Sequence, residues 1–327
     1  MRGMRLGLAI VFAALLAPAL RGQPPTPPVP PPDPPPAVTP SPPPPPPPPP
    51  PQPPRRRYST LDSSVGYIDN PIPTSQVILR YDTAYDFPTP NRAEFFYAKP
   101  RPGGPGLPLP ERRIDFQDAT AVLEAARDGR WSGFVELPVR FLNPEVNANA
   151  AGLGDVRAGF KYAFYQGPDG VATFQLRAYA PSGNPNLGLG TNHATLEPGL
   201  LGFRPLSDRL SLLGELRAWV PIGGTDFAGP VLRYGVGLRY DQLRTDTLRL
   251  APIVEVVGWT VLGGKESEAA DGGAVVSSSA GTTIVNVKVG YRLDVRDRFG
   301  VYAGYGRAVT GDRWYADTFR LEARWLY

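Results

Sequence analysis

The residues best suited to chemistry are few. The chain has one histidine, His193, and no cysteine. Thr191 and Thr195 stand beside His193, so a hydroxyl nucleophile with an imidazole base is the first chemistry to test. It also needs an oriented nucleophile and a third group that holds the imidazole, and none is evident by spacing. A lone loop histidine is ordinarily polar surface. Glu215 and Glu255 could work as an acid–base pair, although strands also carry acids for packing reasons. Gly188-Leu189-Gly190 lacks the lysine and the helix of a phosphate-binding loop. The absence of cysteine removes disulfides, thiolate metal sites, cysteine nucleophiles and a lipidated N-terminal cysteine. The expectation is a protein that is not an enzyme, with no cofactor and no metal.

A larger set of charged side chains recurs at every second position. These are Arg140, Arg157, Lys161, Arg177, Arg217, Arg233, Arg239, Lys288, Arg292, Arg320 and Arg324, with Glu136, Asp155, Glu197, Glu215, Glu255 and Glu322. They alternate with apolar residues. In 209–220, Leu210, Leu212, Leu216 and Val220 oppose Glu215 and Arg217. In 231–240, Leu232, Tyr234, Val236, Leu238 and Tyr240 oppose Arg233 and Arg239. Period two places the sets on opposite faces of a strand. If the apolar faces meet lipid, the charged faces line a lumen. Two readings stay open there: a self-satisfying salt-bridge network in a narrow barrel, or a water-filled path with a mild preference for anions or hydrogen-bond acceptors. Eleven basic groups against six acidic ones favour the anion.

Twelve alternating segments are expected: 93–99, 114–127, 131–142, 152–165, 170–180, 192–204, 209–221, 231–240, 248–262, 282–293, 299–307 and 313–327. The gaps between them alternate between long and short. Tight-turn chemistry marks the short ones at Asp128-Gly129 and Pro168-Asp169-Gly170. This predicts an all-β fold, a transmembrane antiparallel up-and-down β-barrel of about twelve strands. Short turns would lie on the periplasmic side and long loops outside. The final stretch, Phe319 to Tyr327, alternates and carries a terminal aromatic, which resembles the signal read by the barrel-insertion machinery. A secreted β-sandwich also fits the alternation, although the strands are long for one. Residues 58–92 read as a periplasmic lead-in or a segment tucked into the lumen. Ser75–Ala84 looks like a strand but would make thirteen, so the barrel is placed at 93–327.

The leader and linker explain the basic pI. Residues 1–22 have the basic, apolar and small-residue order of a signal peptide, which implies export to the outer membrane. Residues 23–57 form a Pro-rich linker ending in Arg55-Arg56-Arg57. It includes ten consecutive prolines, Pro42–Pro51, and cannot form helix or sheet. It is read as a disordered or polyproline II rod of roughly 3.1 Å per residue. It is a spacer, or a contact with cell-wall polymer. Six of the 34 basic residues and one of the 30 acidic ones precede Tyr58. The remainder is close to neutral, which gives no support for nucleic-acid binding.

Gly152-Leu153-Gly154-Asp155-Val156-Arg157-Ala158-Gly159-Phe160-Lys161-Tyr162, Arg177-Ala178-Tyr179-Ala180-Pro181-Ser182-Gly183 and Tyr234-Gly235-Val236-Gly237-Leu238-Arg239-Tyr240 resemble the phenol meta-degradation pathway transporter family of bacterial outer-membrane β-barrels. The resemblance covers about 114–327. It implies a channel in the lipid bilayer, with hydrophobic or aromatic small molecules as cargo, and transfers no site residues. The expected function is a porin-like passive transporter of small molecules. The alternative is a structural or adhesive envelope barrel with a plugged lumen and a wall-contacting polyproline rod.

Overall fold

The computed structural model describes residues 58–87, 106–109, 111–270 and 273–327. The expected leader, the Pro-rich linker and the expected strand 93–99 lie outside them. The described residues form sixteen strands: β1 (Gln76–Phe87), β2 (Ile114–Arg127), β3 (Trp131–Pro144), β4 (Ala150–Leu153), β5 (Arg157–Gly167), β6 (Gly170–Tyr179), β7 (Ala194–Pro205), β8 (Leu210–Ile222), β9 (Val231–Tyr240), β10 (Leu243–Arg244), β11 (Leu248–Val261), β12 (Lys265–Ala270), β13 (Gly273–Ser278), β14 (Thr283–Val295), β15 (Phe299–Ala308) and β16 (Asp317–Leu326). Twelve of them close a barrel in the order β1, β2, β3, β5, β6, β7, β8, β9, β11, β14, β15, β16, each antiparallel to the next, with β16 returning to β1. β4 extends the ladder on β3, β10 pairs the start of β11, and β12 with β13 forms a separate hairpin in the 262–282 connection.

One end of the barrel has short turns at 128–130, 168–169, 206–209, 241–247 and 296–298. Among the described residues, the other carries the longer connections 145–156, 180–193, 223–230 and 309–316, and the 262–282 connection with its hairpin. The β2–β3 turn shows the chemistry that shortens one end. Asp128 and Gly129 both take positive φ (56° and 64°), and Arg130 N–H donates to Arg127 O. Two left-handed central residues match the twist of the paired strands, and Asp-Gly adopts them at low cost.

Burial is inverted relative to a water-soluble fold. Arg217, Arg239, Arg292 and Lys288 are among the largest fully buried side chains, while Leu200 is 51 % exposed and Leu321 56 %. β3 alternates without a break: Val135, Leu137, Val139 and Phe141 face out, and Ser132, Phe134, Glu136 and Arg140 face in. Arginine is almost never fully buried unless paired, and a continuous exposed apolar belt is unstable in water. A closed barrel with apolar side chains outward leaves no unpaired sheet edge and suits a hydrocarbon surround. Trp131, Tyr165, Tyr240, Phe299 and Trp325 are exposed near the short-turn end, where an interfacial aromatic girdle belongs. Val256, in the middle of β11, tests this surface. Val256→Lys is expected to cost about 2–4 kcal/mol of folding free energy in lipid. The measurement is the folded fraction in liposomes by heat-modifiable gel migration. Equal folding of Val256→Lys and Val256→Leu would refute the outward lipid face.

The barrel starts earlier than the sequence reading placed it. Gln76–Phe87 is the first barrel strand, not part of a lead-in, and the count of twelve holds because it stands where 93–99 was expected. Closure explains its role. Its register with β16 runs from Gln76↔Leu326 to Tyr85↔Asp317. Across that seam Arg80 pairs with Glu322 at 3.1 Å and Arg320 pairs with Asp82 at 2.7 Å.

Candidate functional site

Residues 58–75 enter the barrel from the short-turn end and fill its middle. The Tyr58 hydroxyl donates to Pro168 O in the β5–β6 turn, and Ser75 Oγ accepts from Ala126 N–H at the end of β2. Between these anchors, the stretch 64–68 has no strand partner, so its polar backbone must be satisfied by side chains. Glu255 of β11 accepts from the N–H groups of Gly66, Tyr67 and Ile68 at 3.2, 2.9 and 2.8 Å. The carbonyls face cations. Ser64 O accepts from Arg239, Val65 O from Arg292, Gly66 O from Arg320 and Tyr67 O from Arg233, at 2.7–3.1 Å. Much of the charge on the lumen wall therefore serves as a socket for one strip of backbone. Close approach also needs space. A Cβ at Gly235 or Gly237, on the inward face of β9, would lie 3.3 or 3.2 Å from the Ile68 side chain.

Asp69 locks the next step. Its carboxylate accepts from Arg177 at 2.6 Å, Arg217 at 2.9 Å and Gln175 at 3.1 Å. Burial works to raise its pKa, but Arg177 and Arg217 outweigh that and hold the carboxyl well below the usual carboxylate range. A depressed folded-state pKa contributes stability that is fully present above the ordinary carboxylate value and lost only as pH falls through the depressed one. Acidification from about pH 7 to about pH 5, still above the ordinary value of about 3.9, is thus expected to leave this attachment intact. The carboxylate band of Asp69, identified by infrared difference against Asp69→Asn, checks it; loss of that band between the two values would contradict the assignment.

Of the seventeen charged residues singled out from the sequence, sixteen lie on inward strand faces, and Asp155 lies in the connection between β4 and β5. Arg140 forms a two-pronged pair with Asp118 (2.6 Å each), and Arg157 meets Glu136 at 3.1 Å. Lys161 meets Glu124 at 3.0 Å. Arg177 and Arg217 share Glu197 at 2.8 and 2.6 Å, and Arg217 and Arg233 share Glu215 at 2.6 and 2.7 Å. Arg239 reaches Asp241 and Asp294, both at 2.9 Å. Arg292 and Arg324 converge on Glu322 at 2.7 and 3.0 Å. The sequence reading missed the partners Asp69, Asp82, Asp118, Glu124, Asp241 and Asp294. They reduce the basic surplus counted on the strand faces. Asp82, Asp118 and Glu124 sit at even positions in alternating strands, a signal that could have found them. Asp69 lies where no periodicity marks it.

A cavity of about 200 Å³ opens on the long-loop side of this segment. Its wall carries Arg80, Arg157, Arg233, Lys288 and Arg320, and also Trp219, Trp259 and Trp314. Trp314, from the β15–β16 connection, stacks on Trp219 (6.0 Å between centroids, 17°) and leans on Trp259 at 4.8 Å. Tyr67 forms part of the wall, with Lys288 Nζ 3.5 Å and the Arg320 guanidinium carbon 3.9 Å from its ring centroid. The tryptophans were not singled out from sequence, because a connection residue such as Trp314 meets the wall only through tertiary placement.

The other candidate chemistry does not assemble. His193 Nδ1 lies 2.8 Å from the Thr191 carbonyl, while the Thr191 hydroxyl donates to Asp155 at 2.9 Å. The imidazole therefore meets a backbone oxygen rather than a nucleophile. Thr191 N–H and Gly183 N–H also donate to Asp155, so Asp155 ties the 180–193 loop together. Glu215 and Glu255 are occupied as acceptors of arginine and backbone donors.

No family model and no curated relative matches the sequence. Among solved structures, the fold is similar to the COG4313 outer membrane channel from Pseudomonas putida F1, with a TM-score of 0.52 and 16 % identity over 80 % of this chain and 98 % of that one. The NanC porin aligns over 77 % of this chain and 100 % of its own at a TM-score of 0.44 and 8 % identity. The first likeness is one of fold: a twelve-stranded barrel of the outer-membrane type.

Proposed function

We propose that the chain is an outer-membrane channel that passes small molecules without an energy source, entered from the long-loop end. The observation that carries this reading is a closed cylinder with an apolar outer belt and a charged interior that holds a polar-walled cavity. The similar fold of the COG4313 outer membrane channel supports it. Conduction requires residues 58–75 to leave the middle of the barrel, so the described state is the closed one. A weak preference for anions or hydrogen-bond acceptors is the finer part of the reading, supported by the arginines on the cavity wall. Passage of hydrophobic or aromatic solutes follows from the family resemblance alone. Insertion through the β16 end at Tyr327, and a periplasmic rod that can touch wall polymer at 24–57, complete it.

A second reading is favoured by the number of hydrogen bonds that hold 58–75: a structural envelope barrel whose lumen stays plugged. Planar-bilayer recording and liposome flux of charged, neutral and aromatic probes separate the two. Resolvable conductance steps and probe flux support the channel. A silent bilayer under every condition, including variants that free residues 58–75, leaves the plugged structural barrel. Equal passage of anions and cations sinks the anion preference.

A further inference from the structure

Lys288 makes no hydrogen bond or ion pair with a carboxylate among the described residues. Its residue is 1 % exposed, and its ammonium lines the cavity. Its one hydrogen bond is to the Tyr315 hydroxyl at 2.9 Å, and it lies against the Tyr67 ring. Glu255 faces it in the β11–β14 register but turns both oxygens to the backbone of 66–68. Arg233 and Arg320, the neighbouring cations on the same wall, are each matched by an acid: Glu215 at 2.7 Å and Asp82 at 2.7 Å. A buried ammonium that no carboxylate touches is costly. On the wall of the same cavity, Trp259 is 5 % exposed and its indole Nε1–H is buried without an acceptor. Buried donors of this kind ordinarily have a partner. Trp259 and Trp314 add an apolar face, and an enclosed volume of roughly 150 Å³ suffices for a single six-membered ring.

The geometry points to a binding site in this cavity for a small organic carboxylate, its anionic head on Lys288 and the indole N–H of Trp259 and its flat apolar body on Trp259 and Trp314. The assignment rests on the lumen being entered from the long-loop end, and it names the solute class that the channel reading leaves open. A carboxylate completes the ammonium with a charge-assisted hydrogen bond, the strong kind in a water-poor wall. A neutral analogue of the same shape keeps the ring contact and loses the head.

The test is calorimetric titration of the full chain in detergent with benzoate, benzyl alcohol and acetate, which requires no flux. Benzoate is expected to bind saturably, and benzyl alcohol and acetate each at least tenfold more weakly. Lys288→Met is expected to weaken benzoate by about tenfold to a hundredfold, the range for losing a hydrogen bond to a charged group. Trp259→Phe, which keeps a ring and removes the N–H, is expected to weaken it several-fold. Lys265→Met, on the exposed β12–β13 hairpin, is expected to change nothing. Heat-modifiable migration identifies folded variants. Equal binding of benzoate and benzyl alcohol by the unaltered chain overturns the site without any variant, as does Lys288→Met binding benzoate like the parent. A chain that binds benzoate but never conducts keeps the site and sinks the channel. A chain that conducts but shows no carboxylate preference does the reverse.

Discussion

Replacing Glu255 by alanine is expected to turn a closed barrel into one that shows sustained conductance steps. Three backbone N–H groups, from Gly66, Tyr67 and Ile68, lose their acceptor at once. Each buried donor left without a partner costs about 1–3 kcal/mol, and no neighbouring strand can take them over. The seating of the strip 64–68 in the lumen is therefore weakened, and its release is expected to follow. Glu255→Gln keeps an acceptor oxygen and is expected to fall between the parent and the alanine variant. The cysteine-free sequence allows a direct control. The Ile68 Cγ1 lies 3.3 Å from the position of a Cβ at Gly235, so cysteines at these two positions come within bridging reach. In the Ile68→Cys, Gly235→Cys, Glu255→Ala variant, the oxidised protein is expected to stay closed and the reduced protein to conduct. If Glu255→Ala conducts no more than the parent, and the reduced triple variant no more than the oxidised one, Glu255 is not what holds residues 58–75 in the closed barrel.

Arg217→Met is expected to give the second large effect, on stability. The Arg217 side chain is 1 % exposed and holds Asp69, Glu197 and Glu215 together at 2.9, 2.6 and 2.6 Å. Removing one partner of a buried ion pair leaves charge uncompensated in a poor solvent. Each acid keeps another cation, Arg177 for Asp69 and Glu197 and Arg233 for Glu215. The loss should therefore lie near the lower end of the usual range, about 3 kcal/mol. Arg209, exposed in the β7–β8 connection, provides the comparison, because a solvated arginine contributes about 0–1 kcal/mol. Thermal unfolding in detergent reads both. Matching unfolding of Arg217→Met and Arg209→Met would show that the interior network does not hold the barrel.

The two experiments separate two roles of the same charged wall. Glu255 faces the inserted backbone, so its loss should act on opening and little on the strands. Arg217 links β7, β8 and the inserted segment through Glu197, Glu215 and Asp69, so its loss should act on the barrel itself. The same division explains why arginine dominates. Its planar fork can meet a carboxylate and a backbone carbonyl at once. Arg239 does this with Asp241, Asp294 and Ser64 O, and Arg320 does it with Asp82 and Gly66 O.

The sequence by itself determined the strands and their faces. Alternation is a local property, repeated every two residues, and eleven of the twelve barrel strands lie where it put them. Leu137 beside Glu136, or Leu216 beside Arg217, suffices to say which side faces out. Closure was not legible, because Ser75–Ala84 reads as a strand but only its pairing with β16 shows that it closes the barrel. Nor was the content of the lumen. Residues 58–75 carry no period, since their hydrogen bonds go to side chains spread over several strands rather than to a neighbouring ladder. The apparent basic surplus arose for the same reason: Asp69 joins Arg177 and Arg217 only when more than one hundred residues of chain bring them together. Period and propensity act between neighbours along the chain, whereas ion pairing and the seating of an unpaired strip act through space, and only the closed barrel brings those groups within reach.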